Sequence, residues 1–219
     1  MFNRTIIHEL EQWKERRDRK PLMMLGARQV GKTSVLKKFG EDSFEHCAYF
    51  SLDEEEGVCD IFRKTKNPQQ IIEQLSYLTS EPILPHKTLL ILDEIQDCPE
   101  AISAMKYFCE KTPEYAVACA GSLLGLAFGH QGFSFPVGKV DHMNMYPVTF
   151  SEFLEQRDAG LYQYYMSIDS LEPLPDVFFD RLSQAFTAYR ISGGMPAVAM
   201  KMIEKDLEGV ETTLRKILP

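Results

Sequence analysis

The 219-residue chain contains one tryptophan, no C-x-x-C pair and no histidine at metal-ligand spacing from a cysteine. Its cysteines, Cys47, Cys59, Cys98, Cys109 and Cys119, are an odd and scattered set. That excludes a disulfide framework and a zinc site, and predicts reduced thiols in a cytoplasmic protein. The first 19 residues lack an apolar core of signal-peptide length. Residues 115–138 carry no charged side chain and place Gly121, Gly125 and Gly129 in G-x-x-x-G spacing. As a membrane span they fail, because Ser122, His130, Gln131 and Pro136 interrupt them and the apolar part stops near ~14 residues.

Excess positive charge is missing too. Lys and Arg total 24 against 32 Asp and Glu, a net charge of −8, so the totals do not favour a duplex-binding domain. The first 20 residues are an exception, with six basic and four acidic side chains. Residues 13–20 (WKERRDRK) read either as a contact to a phosphate backbone or as a charged, solvated helix end ahead of Pro21. There is no internal repeat and no low-complexity segment. With 44% hydrophobic and 26% charged residues, the composition excludes a disordered tail, a collagen-like repeat and a coiled coil.

Strand and helix patterns alternate. An amphipathic helix is predicted over 3–18, with Ile6, Ile7, Leu10 and Trp13 on one face. The apolar run 22–25 leads into Gly26 as a buried strand feeding a tight loop, and a helix from Thr33 to Phe39 stops at Gly40. Further strands are predicted at 47–52, 88–92, 115–120 and 140–145, with an acidic turn at 53–56. Helices are predicted at 67–80, with Ile71, Ile72, Leu75 and Leu78 as the buried stripe, and at 99–111. Residues 149–151 cap a helix holding Phe153 and Leu154, and from Asp176 onward only helices follow, broken at Gly193, Gly194 and Pro196. Such alternation predicts an α/β fold with a parallel sheet of about five strands between helical layers. The expected division is an N-terminal helix over 1–20, a core over 21–158 and a helical extension over 159–219.

The densest chemistry lies in Gly26-Ala27-Arg28-Gln29-Val30-Gly31-Lys32-Thr33, a match to the phosphate-loop pattern G-x-x-x-x-G-K-[ST]. The glycines let successive backbone N–H groups face an anion, and the following helix adds the positive end of its dipole. Lys32 supplies a mobile charge for the β and γ phosphates, and the Thr33 hydroxyl suits Mg²⁺. Ser34 completes the nucleotide-binding segment. With Gly at about 7% of residues, four fixed positions recur by chance in a chain this long roughly once in a hundred.

The second element is Leu89-Leu90-Ile91-Leu92-Asp93-Glu94. A carboxylate ending a buried strand beside such a loop can hold Mg²⁺, which assigns Asp93 to the metal. Glu94 is then placed to deprotonate a water that attacks the γ-phosphate. Ser122 ends the apolar strand 115–120, either as a sensor of the γ-phosphate and its water or as part of a glycine-flanked turn. Arg28 reads as a phosphate contact, a partner contact or a solvated side chain. Lys139 reads as charge offered across a subunit interface or as a surface residue. No N-K-x-D guanine reader is present, so adenine is favoured. The strand at 47–52 and the Asp93-Glu94 pair fit the additional-strand class with a catalytic glutamate better than small-molecule kinases.

KPLMMLGARQVGKTSVL, LLILDEIQDCPE, CAGSLLG and FPVGKVDHMNMYPVTFSEFL resemble the prokaryotic AAA-type, or archaeal-like, P-loop ATPases over about residues 3–158, and YRISGGMPAV resembles the start of the region after the core. The resemblance implies a RecA/AAA-like fold with Gly26, Gly31, Lys32 and Thr33 as Walker A, Asp93 and Glu94 as Walker B, and Ser122 at the sensor position. Many relatives carry Arg where this chain has Lys139, and the core usually precedes a nuclease-like domain whose counterpart is not found before Pro219. The expected function is Mg²⁺-dependent ATP binding and hydrolysis, with homo-oligomers, a protein partner or DNA as partners. The alternatives are an ATP-gated interaction switch with little turnover and the ATPase component of a DNA-handling system. The 3–18 helix and Ile61–Phe62 are candidate walls for the adenine.

Overall fold

The computed structural model describes residues 2–122 and 136–217, and its contacts divide the chain into two units. One spans residues 6–145; the other joins residues 1–5 to 146–219. The sequence instead places its boundaries after 20 and 158.

In the first unit, α1 (Ile6–Glu15) precedes β1 (Leu22–Leu25), α2 (Lys32–Ser43) and β2 (His46–Ser51). Then come α3 (Glu56–Lys64), α4 (Pro68–Ser76), β3 (Thr88–Asp93), a single 3₁₀ turn (Ile95–Asp97), α5 (Pro99–Lys111), β4 (Ala116–Gly121) and β5 (Asp141–Asn144). The strands form one five-stranded sheet in the order β2-β3-β4-β1-β5, every neighbouring pair parallel. The predicted fold class is therefore the observed one, with β4 inserted between the loop strand β1 and the carboxylate strand β3.

Alternation along the strands explains the layers. Met23, Leu90, Leu92, Val117 and Cys119 face a core built with α3, α4 and α5. Leu22, Met24, Leu89, Ile91, Ala118 and Ala120 face a second core built with α1 and α2. The apolar face of α1 is spent there through Ile6, Leu10 and Trp13, and the Trp13 indole N–H donates to the Lys20 carbonyl at 2.9 Å.

Two local expectations need correction. Helix α2 does not stop at Gly40 but runs through it to Ser43. Gly40 is a packing residue: a Cβ there would collide with the Cys47 sulfur and crowd Leu89. Gly40→Val is therefore expected to lower stability by about 1–3 kcal/mol, measured by urea unfolding followed through Trp13 fluorescence. Helix α4 ends at Ser76, which leaves Leu78 outside the buried stripe at 54% exposure. The acidic turn is present, at residues 52–54, and leads into α3, a helix the sequence pattern does not mark, whose Val58, Cys59, Ile61 and Phe62 are all buried.

The second unit is helical: α6 (Phe150–Arg157), α7 (Ala159–Met166), α8 (Asp176–Ser192), α9 (Pro196–Ile203) and α10 (Leu207–Ile217). Thr149 caps α6 as predicted, in a reciprocal box with Glu152. Gly193, at φ 60°, ends α8, and Gly194 lies so close to the Val148 carbonyl that a side chain would not fit. Phe2, Val148, Phe153, Ala188 and Ala199 form this unit's core. No helix among the described residues is long and apolar enough to cross a membrane. Gly125, Gly129, His130 and Gln131 of the rejected span lie outside the described residues.

Candidate functional site

Parallel register brings the predicted residues to one edge of the sheet. Leu25 at the end of β1 stands opposite Gly121 of β4, and Leu92 of β3 stands opposite Cys119. Gly26, Glu94 and Ser122 therefore leave the sheet together. A Cβ on Gly26 would collide with the Met145 carbonyl, whose own residue donates its N–H to Leu25 at 2.6 Å. Only glycine allows the loop to start so close to β5. Gly31 caps α2 at φ 94°, a left-handed conformation that favours glycine, and Gln29 takes up φ 61°. Helix α2 has no side-chain cap, which leaves its first-turn amides for an anion.

Lys32 is 7% exposed and donates to the carbonyls of Gly26 at 3.0 Å and Ala27 at 2.8 Å. Burial lowers its pKa from the ordinary lysine value; the charges of Glu94 and Asp93 oppose that shift, while Arg28 adds to it. These influences place Lys32 within electrostatic reach of both predicted carboxylates. Ala27, Arg28, Gln29 and Ser34 are exposed, whereas Val30 is buried and anchors the loop.

Asp93 is buried at 4% exposure, and three donors compensate its desolvation. The Thr33 hydroxyl donates to Oδ2 at 2.6 Å, the Tyr49 hydroxyl donates to the same oxygen at 3.1 Å, and the Glu94 N–H donates to Oδ1 at 3.0 Å. Alternation explains the Asp93 placement: Leu89, Ile91 and Asp93 point to the α2 face, where Thr33 sits. Thr33 and Asp93 offer a hydroxyl and a carboxylate close together, a hard-oxygen pair suited to Mg²⁺. Among the described residues no group of three or more His, Cys, Asp or Glu gathers as a metal site. The pair's remaining ligands would come from phosphate and water.

Glu94 holds its backbone at φ 47° as the chain turns from β3 into the 3₁₀ turn. Its Oε2 accepts from Gln96 Nε2 at 2.5 Å and from the Ser122 hydroxyl at 3.4 Å. Ser122 thus meets the carboxylate predicted to activate water.

Sequence reasoning missed Tyr49 and Gln96. Strand alternation over 46–51 gives Tyr49 a face but not its neighbour strand, and nothing in the spacing marks Gln96. Burial, and then the Asp93 charge, push the Tyr49 phenol up to about 12, so it remains a donor at neutral pH.

Lys139 lies elsewhere. Asp141 pairs with Leu22 at the start of β1, so Lys139 stands at the opposite sheet edge, where Nζ meets Glu110 at 2.9 Å. Ile61 and Phe62 are buried with α4 and α5 on the sheet face away from α2, which removes them as adenine walls. The basic stretch is largely engaged: Arg16 pairs with Asp18 and Asp141, and Arg19 lies 5.4 Å over the Trp13 ring.

The profile of the AAA domain family matches residues 18–154, more than half of the chain. No curated protein matches by sequence. A Walker-type ATPase of Pyrococcus abyssi has a similar fold at 16% identity and TM-score 0.57, covering 100% of this chain and 75% of its own. The replication initiator DnaA bound to AMPPCP and single-stranded DNA matches at 17% identity and TM-score 0.52, covering 98% of this chain and 64% of its own. RuvB of Thermotoga maritima matches at 13% identity and TM-score 0.51, covering 96% and 67%. At these identities the likeness is one of fold.

Proposed function

We propose, from the premise that this chain belongs to the AAA domain family of P-loop ATPases, that it binds ATP with Mg²⁺ and hydrolyses it. One observation carries the reading: the Thr33 hydroxyl at the loop's end stands 2.6 Å from the buried Asp93 carboxylate, with Glu94 next in the chain.

Loop amides and Lys32 would bind the phosphates, with phosphate oxygens taking the place of the Gly26 and Ala27 carbonyls at the ammonium. Thr33 and Asp93 would hold Mg²⁺. Bound there, the metal supplies positive charge to the phosphate oxygens. Glu94 orients a water and accepts its proton as the water oxygen bonds to the γ-phosphorus and the bond to the ADP oxygen breaks. Ser122 and Gln96, both donating to Oε2, hold the carboxylate and leave its second oxygen for the water. The work is positioning and charge stabilisation.

The DnaA neighbour was bound to both a nucleotide analogue and DNA. For this chain the nucleotide half has the loop and carboxylates behind it, whereas the DNA half rests on a basic stretch in which Arg16 and Arg19 already have local partners.

Lys32→Ala tests the reading. Removing a buried, charge-assisted donor is expected to weaken ATP binding at least about tenfold, measured by calorimetry with folding checked by circular dichroism. Unchanged affinity would overturn the assignment.

A further inference from the structure

Asp93 can align a metal only if its carboxylate plane is fixed. Oδ1 is held by the backbone of Glu94, while Oδ2 takes both hydroxyls. When Thr33 turns its oxygen to Mg²⁺, one of those two donors leaves Oδ2. Tyr49 is the side-chain donor that then remains.

We infer that Tyr49 is a positioning residue for the metal site: its hydroxyl holds the Asp93 carboxylate in the orientation that receives Mg²⁺. The inference rests on the Mg²⁺-ATP reading above and deepens it. Three elements build the contact. Strand β2 lies next to β3 in parallel register, with Tyr49 opposite Ile91 and Ser51 opposite Asp93, so Tyr49 stands one inward-facing position short of the carboxylate. Its long side chain spans that step and reaches Oδ2 at 3.1 Å. Lys37, one helical turn beyond Thr33 on α2, places its ammonium 3.3 Å from the Tyr49 ring centroid. That cation draws on the ring face and fixes the ring against the helix that carries Thr33. Tyr49 thus couples the phosphate-loop helix, an outer strand and the metal carboxylate. Groups that orient a metal ligand commonly change metal affinity 10–100-fold when removed.

Tyr49→Phe removes the hydroxyl and keeps the ring, its packing and the Lys37 contact. The full chain is loaded with a fluorescent ATP analogue without metal, and Mg²⁺ is titrated in. The half-saturating Mg²⁺ concentration is expected to rise about tenfold or more in Tyr49→Phe, with metal-free analogue affinity within twofold of the parent. Half-saturation equal to the parent's would overturn the inference. An equal loss of metal-free affinity would also overturn it, since the phenol would then shape the nucleotide pocket and not the metal ligand. Should the parent itself show no response to Mg²⁺, the Mg²⁺-ATP reading and this inference fall together. Should the parent respond while only the variant comparison fails, Tyr49 alone is lost.

Discussion

Glu94→Gln is expected to lower ATP turnover by about 10²–10⁴ while leaving ATP binding within a few-fold of the parent. The amide keeps the shape of the carboxylate and can still accept from Ser122 and Gln96, but it cannot take a proton from water. The phosphate-holding residues Lys32, Thr33 and Asp93 are untouched. Single-turnover hydrolysis alongside equilibrium binding of an ATP analogue separates the two effects. Equal slow rates in parent and variant would favour the other reading, an ATP-gated switch that changes shape without using its glutamate.

The second large effect is expected in the helical unit. In the second unit Arg4 and Glu152 form an ion pair at 3.2 Å, with side-chain exposures of 6% and 3%. Glu152 also accepts from the Thr5 N–H and hydroxyl and from the Thr149 N–H, and Arg4 donates to the Tyr146 carbonyl at 2.6 Å. Glu152→Ala strands a buried guanidinium and removes the return half of the α6 capping box, so it should cost about 3–5 kcal/mol. Hydrogen exchange is the measurement: amides of α6 and α8 should lose protection while those of β1, β3 and β4 keep theirs.

The same carboxylate sets an acid limit. Burial alone would raise its pKa, but backbone N–H donors at Thr149 and Thr5, then Arg4, outweigh burial and hold it below the ordinary value of 4.5. A lowered native pKa means the unfolded chain binds the proton first. The stabilisation is therefore full above 4.5 and fades as pH falls through the native value. In Glu152→Ala this part of the acid dependence of second-unit protection should be missing.

How much of this was legible beforehand follows from the range of each interaction. The apolar run before Gly26, the run ending in Asp93-Glu94 and the Thr149 cap are local signals. They placed the loop, the carboxylates and α6 near their observed positions. Gly40 misled because its reason for being glycine is Cys47, on the strand after the helix, and a breaker and a close-packing residue look alike in one dimension. Leu78 fits the periodicity of α4 but follows the helix end at Ser76, where the chain turns away from the core. Tyr49 is further out of reach. Its hydroxyl matters because β2 lies beside β3, and alternating strand and helix patterns predict a parallel sheet without setting strand order. Gln96 serves Glu94 only because the chain turns through φ 47° at Glu94 itself.

The way the two units are threaded has a consequence for biosynthesis. Residues 1–5 are held with 146–219, and the bond from the Thr5 N–H to Glu152 spans 147 positions. In an unfolded chain so wide a closure is slow and entropically costly. Yet Ile6 and Met145, the first and last residues of the sheet unit, belong to one apolar cluster. Once that unit has formed, both its ends are anchored in the same core, which reduces the closure left for the long loop. The ribosome delivers Met145 before Glu152, so the sheet unit can set before the residues that complete the helical unit have emerged.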